Sequence, residues 1–458
     1  MTGNNTTTDT NGPRACQAVA EPPAPLAEPV ETHGWPWGDG FPTRPDIVQF
    51  VKHHSNALVS PDAFEDVPLP EGLTPASAFN LVEFVRYTGA GMPVCGRHRS
   101  CGHEGSWYAM TPGFSTRLAH LEYRTRAKGS LQQQFDTYRL AKGFYPPRLS
   151  ELECALALDG VSVPYESLRE LCLGERRPTN APERLATNVL QTLAKLESAP
   201  GVQLREDILD ELFSQVDQGV DDLPWHPAVR PPTACYSICD RFSTSFIVSA
   251  FQEADPSDVA PVMLLLFCSE AMWKTAVFPR WNAVMEVVVR NLLFSHIGTP
   301  LLGHVPLALM FWRWQTGVEP ATAKGPRFGE EMFSTRYGVD MTPLFSKLLG
   351  MLEEGLDELA HWVGEQRQAV ERRRELIRAN RTLNHRQQEF LLELVDRPTT
   401  TLDAAEYSRR HDIAASTAYA DLQKLVDRGL LTVETSGKAR TFRRAPGFAA
   451  VLDSGALR

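Results

Sequence analysis

The sequence predicts a mainly α-helical protein with one small hairpin. A disordered N-terminal arm precedes it, and a module of three helices and a β-hairpin closes it. Three observations lead there. Apolar residues recur at helical spacing through Ala260–Leu293, with few charges in either half. Three shorter helical patterns and two β-prone runs sit together between 384 and 446. The first 45 residues are rich in Thr, Asn, Pro, Ala and Gly and have little to bury. A chain of 458 residues has room for two or three domains, and 43% hydrophobic with 22% charged residues is ordinary for a soluble globular protein.

Taken in order, residues 1–45 form the arm, with Pro spaced through AEPPAPLAEPVE and two tryptophans, Trp35 and Trp37, able to tether it. Residues 46–148 form an N-terminal helical region. Ser77–Tyr87 places Phe79, Val82, Phe84 and Val85 on one face of a helix. The loop after it holds Cys95, His98, Cys101 and His103, four potential zinc ligands. They are crowded into nine positions with no long loop between pairs, which suits a polar Gly-rich loop better than a metal site, and no metal is expected. Ser115–Leu140 reads as one or two helices whose Arg and Lys residues form a solvated face.

Residues 149–330 are predicted as the core. A helix ends at ALALDG, where Gly160 suits a C-terminal cap. A second helix follows to Leu173, then a loop at Gly174 and a helix through Asn188. A short hairpin is placed loosely within Trp225–Ser249. Two apolar helices then flank the bend FPRWN, because Pro279 cannot sit inside a helix. The second would be buried, and its N-terminus is a ready place for a phosphate. Residues 340–383 form a connecting helix, acidic at its start and basic at its end as the helix dipole favours.

The tail, 384–446, has the clearest local pattern. Asn384 caps a helix carrying Phe390, Leu391, Leu394 and Val395, ended by Pro398. TTLDAAEYSRRH is the second helix, opened by Thr401. STAYADLQKLVDRGLL is the third, with Ser416 as N-cap and Gly429 as its stop. A strand from Leu430, a turn at Ser436-Gly437 and a return strand through Lys438, Arg440 and Phe442 complete it.

No apolar run is long enough to span a bilayer; Leu301–Trp312 is short and contains Pro306. The start lacks a basic region followed by an apolar segment, and the eight cysteines are scattered, so a reducing cytoplasm is expected. A net charge of −10 argues against a protein coated in nucleic acid but allows a local basic module.

The stretch around FPRWN resembles the core of the Fic (Fic/Doc) family, with its signature H-P-F-x-[D/E]-G-N-G-R-x-x-R. Asn282 aligns with the signature Asn, and Asn291 falls nine positions later, where family members often carry another. Pro261 falls where they often have a His-Pro pair. The signature is eroded. Its His falls on Ala276, its Pro on Val277 and its acidic residue on Arg280; its glycines fall on Trp281 and Ala283, and its arginines on Val284 and Val287. Phe278 and Asn282 survive, so Phe278, Arg280 and Asn282 are the remnant of the nucleotide loop. Asp159 and Gly160 fall on the Glu-Gly that ends the family's inhibitory helix. There the Glu pairs with the last signature Arg, here Val287, so Asp159 is expected to lack that partner. The tail resembles the winged helix-turn-helix often appended to Fic proteins.

In active Fic enzymes the His is a general base, the loop amides cradle phosphate, the acidic residue holds Mg2+ and the arginines neutralise charge. Loss of the base alone removes a factor of about 10²–10⁴ in rate, and the missing cations and metal carboxylate remove more. Arg290, His296 and His304 are the nearby substitutes weighed, Arg290 with a solvent-facing alternative and the histidines with a structural one. The resemblance therefore implies a degenerate Fido fold acting as a DNA-binding or protein-binding regulator, a pseudoenzyme with no cofactor. The alternative is a transferase that AMPylates a protein hydroxyl from ATP and Mg2+ at a non-standard site. In a winged helix the start of the third helix enters the major groove, which makes Ser416, Thr417, Tyr419, Lys438 and Arg440 the DNA-contacting candidates. Arg367–Arg444 carries 16 Lys and Arg against 11 Asp and Glu, a balance of +5 that leaves −15 for the rest. DNA is the expected partner, a protein partner and a homodimer remain open, and no membrane contact is expected.

Overall fold

The computed structural model describes residues 44–55, 61–93, 106–139, 145–198, 201–224, 243–253, 260–274, 277–316, 333–335, 338–397, 400–436 and 439–454. The N-terminal arm up to 43, Cys95, His98, Cys101, His103, Ala276, Lys438 and the greater part of the expected hairpin, 225–242, lie outside them. The chain divides into two compact units, 1–133 with 139–358 and 134–138 with 359–458.

The first unit opens with α1 (Pro45–His54), a 3-10 turn (Pro61–Phe64) and α2 (Pro75–Ala90). Thr74 caps α2 reciprocally with Ser77. Phe50, Phe64 and Phe79 fill the space between these elements. Strands β1 (Gly91–Pro93) and β2 (Ser106–Ala109) follow, then α3 (Pro112–Thr125) and α4 (Ser130–Tyr138), the last shared between the units. The helical body runs α5 (Pro146–Leu158), α6 (Tyr165–Leu173), α7 (Ala181–Ser198), α8 (Glu206–Asp217), α9 (Thr244–Glu253), α10 (Pro261–Lys274), α11 (Asn282–His296) and, after a 3-10 turn (Pro300–His304), α12 (Leu307–Thr316). Strands β3 (Phe333–Thr335) and β4 (Gly338–Asp340) lead into α13 (Thr342–Ala379).

Helix α11 is the centre of this unit: each residue from Asn282 to Phe294 is buried. Its sequence is apolar nearly all round, and a helix of that kind finds enough cover only inside other helices. Helices α5, α7, α8 and α10 pack against it. Across α10–α12, Trp273 stacks on Phe311 with centroids 4.3 Å apart. The described strands of this unit do not come from Trp225–Ser249; there the described residues form helix α9. They form a four-stranded sheet ordered β1-β2-β4-β3, with β2 and β4 parallel and the outer pairs antiparallel. At three or four residues these strands are too short to show alternation in the sequence.

The second unit contains α14 (His385–Asp396), β5 (Thr401–Asp403), α15 (Ala404–His411), α16 (Ala415–Asp427), β6 (Leu431–Ser436), β7 (Ala439–Arg444) and α17 (Phe448–Asp453). The sheet is antiparallel in the order β5-β7-β6. Asn384 and Gln387 form a capping box on α14. Two helix starts differ from expectation. Thr401 opens a strand rather than a helix, because residues 401–403 pair with 441–443 of β7; Asp403 then caps α15. Ala414, not Ser416, is the N-cap of α16, so Ser416 lies one residue inside. The core is Phe390, Leu394, Tyr407, Leu422, Leu425 and Phe442 with their neighbours. No described helix is long and apolar enough to cross a membrane.

Candidate functional site

The bend between α10 and α11 is built by Phe278, Arg280, Trp281 and Asn282. Asn282 clasps Phe278 twice: its Oδ1 accepts from the Phe278 backbone N–H and its Nδ2 donates to the Phe278 carbonyl, each at 2.9 Å. Trp281, the N-cap of α11, takes the left-handed conformation at φ 62°. That conformation costs a residue with a Cβ about 1–2 kcal/mol, and here the ring is fully buried with Nε1 donating to Asp217 Oδ1 at 2.6 Å. Arg280 pairs with the same carboxylate at 2.6 Å and with Asp221 at 3.4 Å.

The first turn of α11 is closed by Asp159. Helix α5 ends in a Schellman-type turn, with Gly160 at φ 78°, its N–H donating to Ala157 O at 3.0 Å and the Val161 N–H to Leu156 O at 2.8 Å. That turn delivers the buried Asp159 carboxylate to the start of α11, where it accepts from the backbone N–H of Ala283 at 3.2 Å and of Val284 at 2.9 Å. Asp159, whose expected arginine position is Val287, is thus partnered by two amides at the positive end of a helix dipole. The first amides of α11 thus serve a carboxylate, Arg280 is paired with acids, and the Trp281 ring fills the interior beside them.

Beneath the bend lies a buried polar network. Arg290 is wholly buried, which corrects its solvent-facing alternative. Its guanidinium donates to Glu286 Oε1 at 2.8 Å, to the Val305 carbonyl at 2.7 Å and to Glu151 Oε1. Glu286 also accepts from the Ser269 hydroxyl at 2.7 Å. Arg148 pairs with Glu151 at 3.0 Å and reaches Asn291 Oδ1 at 3.0 Å and His304 Nδ1 at 3.1 Å. Burial pushes the Glu286 carboxyl above its usual range, against the pull of Arg290. Burial, then Arg148, holds His304 well below the ordinary histidine range. A neutral His304 wedged on Arg148 with no exposed face is a structural residue, and His296 lies exposed near the far end of α11.

In the second unit, the candidates Ser416, Thr417 and Tyr419 are exposed on the first turns of α16. Arg440 of β7 is exposed beside them, and its Nη1 donates to the Tyr419 hydroxyl at 2.6 Å. The Tyr419 ring packs edge-on to Phe442, 6.2 Å between centroids, so the pair is anchored on the core. Arg443 pairs with Glu434 across the hairpin at 2.6 Å. Arg409 and Lys424 are further exposed cations of α15 and α16 that sequence reading passed over.

No protein-family model matches the chain, and no curated protein matches it. Among solved structures it is similar to a Fic family protein from Desulfovibrio desulfuricans G20, at 12% identity over 74% of this chain and 98% of that chain, with a TM-score of 0.40.

Proposed function

We propose that the helical body is a degenerate, non-catalytic Fic-like domain and that residues 384–446 are a winged helix through which the protein contacts DNA as a regulator. The observation that carries the first half is the Asp159 carboxylate seated on the Ala283 and Val284 amides, the position a transferred nucleotide's phosphate would need. ATP with Mg2+ is accordingly expected to leave the melting temperature unchanged in a thermal-shift titration, whereas a ligand at 100 times its Kd would stabilise by about 2.7 kcal/mol. A rise in melting temperature would restore the transferase reading.

The second half rests on order and exposure. Helix, strand, two helices and two strands follow one another in the tail, and the exposed start of α16 stands beside a hairpin that presents Arg440. Helix residues there can reach base edges while hairpin cations meet phosphates. Duplex DNA of mixed sequence, followed by fluorescence anisotropy, is expected to bind with strong salt dependence. Arg440→Ala is expected to weaken binding on every sequence and to reduce the slope of log K against log salt by about 1. Binding indifferent to salt and to Arg440 would sink the DNA reading and leave a protein-binding module.

A further inference from the structure

Far from the bend, three charged side chains are buried together. Helix α2 carries Glu83 and Arg86 one turn apart, and β4 ends in Asp340; none is more than 2% exposed. Arg86 Nη1 lies 2.6 Å from Glu83 Oε1 and 3.1 Å from Asp340 Oδ2. Two carboxylates against one guanidinium leave an excess negative charge where charge is most costly. The two acids are not equivalent. Asp340 Oδ1 accepts from the Thr342 backbone N–H at 2.8 Å and from the Thr342 hydroxyl, so it caps the first turn of α13. Thr342 in turn accepts from the Ala109 N–H of β2 at 2.7 Å. Glu83 has no such support: its Oε2 lacks a hydrogen-bond partner, as does Asp340 Oδ2.

We propose that Glu83 and Asp340 share one proton, carried by Glu83, and that with Arg86 they form a proton-dependent latch fastening helix α2 to the root of α13. A hydroxyl on Glu83 Oε2 donating to Asp340 Oδ2 satisfies both orphaned oxygens and cancels the excess charge. Burial, then the Asp340 charge, pushes the Glu83 carboxyl up to about 8 against the opposing pull of Arg86. Among the described residues the charges that act on Glu83 are Asp340 and Arg86; α1 also carries Asp46, Lys52 and His53, and the 3-10 turn Asp62. Strand β2 contributes Trp107, with Arg86 5.9 Å over its ring, and Tyr108, whose phenol is pushed up to about 12. Strands β1 and β3 carry no titratable residue, and His54 of α1 packs on Phe50 and Phe64.

Folding therefore takes up a proton at Glu83 over the interval from its ordinary 4.5 to about 8. Its stabilisation is complete at the acid end and is lost as pH rises through the upper value. Glu286 is raised by burial as well, so thermal unfolding between about pH 7 and 9 reads the latch as the difference between the native chain and Glu83→Gln; a depressed His304 acts only on the acid side of its ordinary value. The full-length protein is expected to lose melting temperature across that window. Glu83→Gln, which keeps the shape of the protonated acid, is expected to lose clearly less melting temperature there than the native chain. Asp340→Asn removes the repelling charge but not the burial, and is expected to reduce the loss in the same window. At neutral pH the infrared spectrum should show a protonated-carboxyl carbonyl band that Glu83→Gln lacks. Parallel pH profiles for the native chain and Glu83→Gln, or no such band in the native chain, would overturn the latch.

Discussion

Arg290→Ala is expected to cost about 3–5 kcal/mol of folding stability, the range for breaking a buried ion pair by removing one partner. The size follows from what the guanidinium holds. It neutralises Glu286 and Glu151 together and satisfies the Val305 carbonyl, all away from water. Without it, among the described residues, Glu286 keeps the Ser269 hydroxyl, while Glu151 keeps Arg148 and the Ala308 N–H. The cost should therefore fall on Glu286, and adding Glu286→Gln to Arg290→Ala should recover part of the loss. Arg290→Lys should be poorly tolerated too, since one ammonium cannot span two carboxylates and a carbonyl. Urea midpoints measure all three. A loss under 1 kcal/mol for Arg290→Ala would show that water reaches this network.

Asp159→Ala is expected to cost about 2–4 kcal/mol, from two hydrogen bonds to a charged acceptor worth about 1.5–3 kcal/mol each, less relaxation of the turn. The substitution leaves the Ala283 and Val284 amides unpaired at the positive end of a buried helix. Asp159→Asn keeps an oxygen acceptor and should cost less. The Ala variant also opens an anion site. Inorganic phosphate should raise its melting temperature relative to chloride at equal ionic strength, and should leave the native chain unmoved. Equal effects on both would mean that the carboxylate does not occupy the anion position.

How much of this was legible in the sequence depends on range. The helices around FPRWN, the stop at Gly160 and the cap at Asn384 are local signals, and the described residues place helices, a left-handed glycine and a capping box there. The burial of α11 followed from its composition. What could not be seen was pairing across the chain. Asp159 reaches α11 over 124 and 125 residues, and Glu151 reaches Arg290 over 139. Arg290 beside a run of valines reads equally well as a surface residue or as the hub of a buried network. The sheet joining β2 to β4 is invisible for the same reason, its strands lying more than 220 residues apart. Ser416 failed as a cap because a β-region residue is needed before the helix, and Ala414 holds that conformation at φ −62°, ψ 144°.

The most direct test of the proposed non-catalytic body is incubation of the full-length protein with Mg2+ and ATP labelled at the α-phosphate, resolved on a denaturing gel, with Ala276→His and Asp159→Ala/Ala276→His alongside. No label on the native chain is the expected result, because the first amides of α11 are held by Asp159 and position 276 is an alanine. Label transferred to the native chain would contradict the account outright and make this protein a nucleotide transferase.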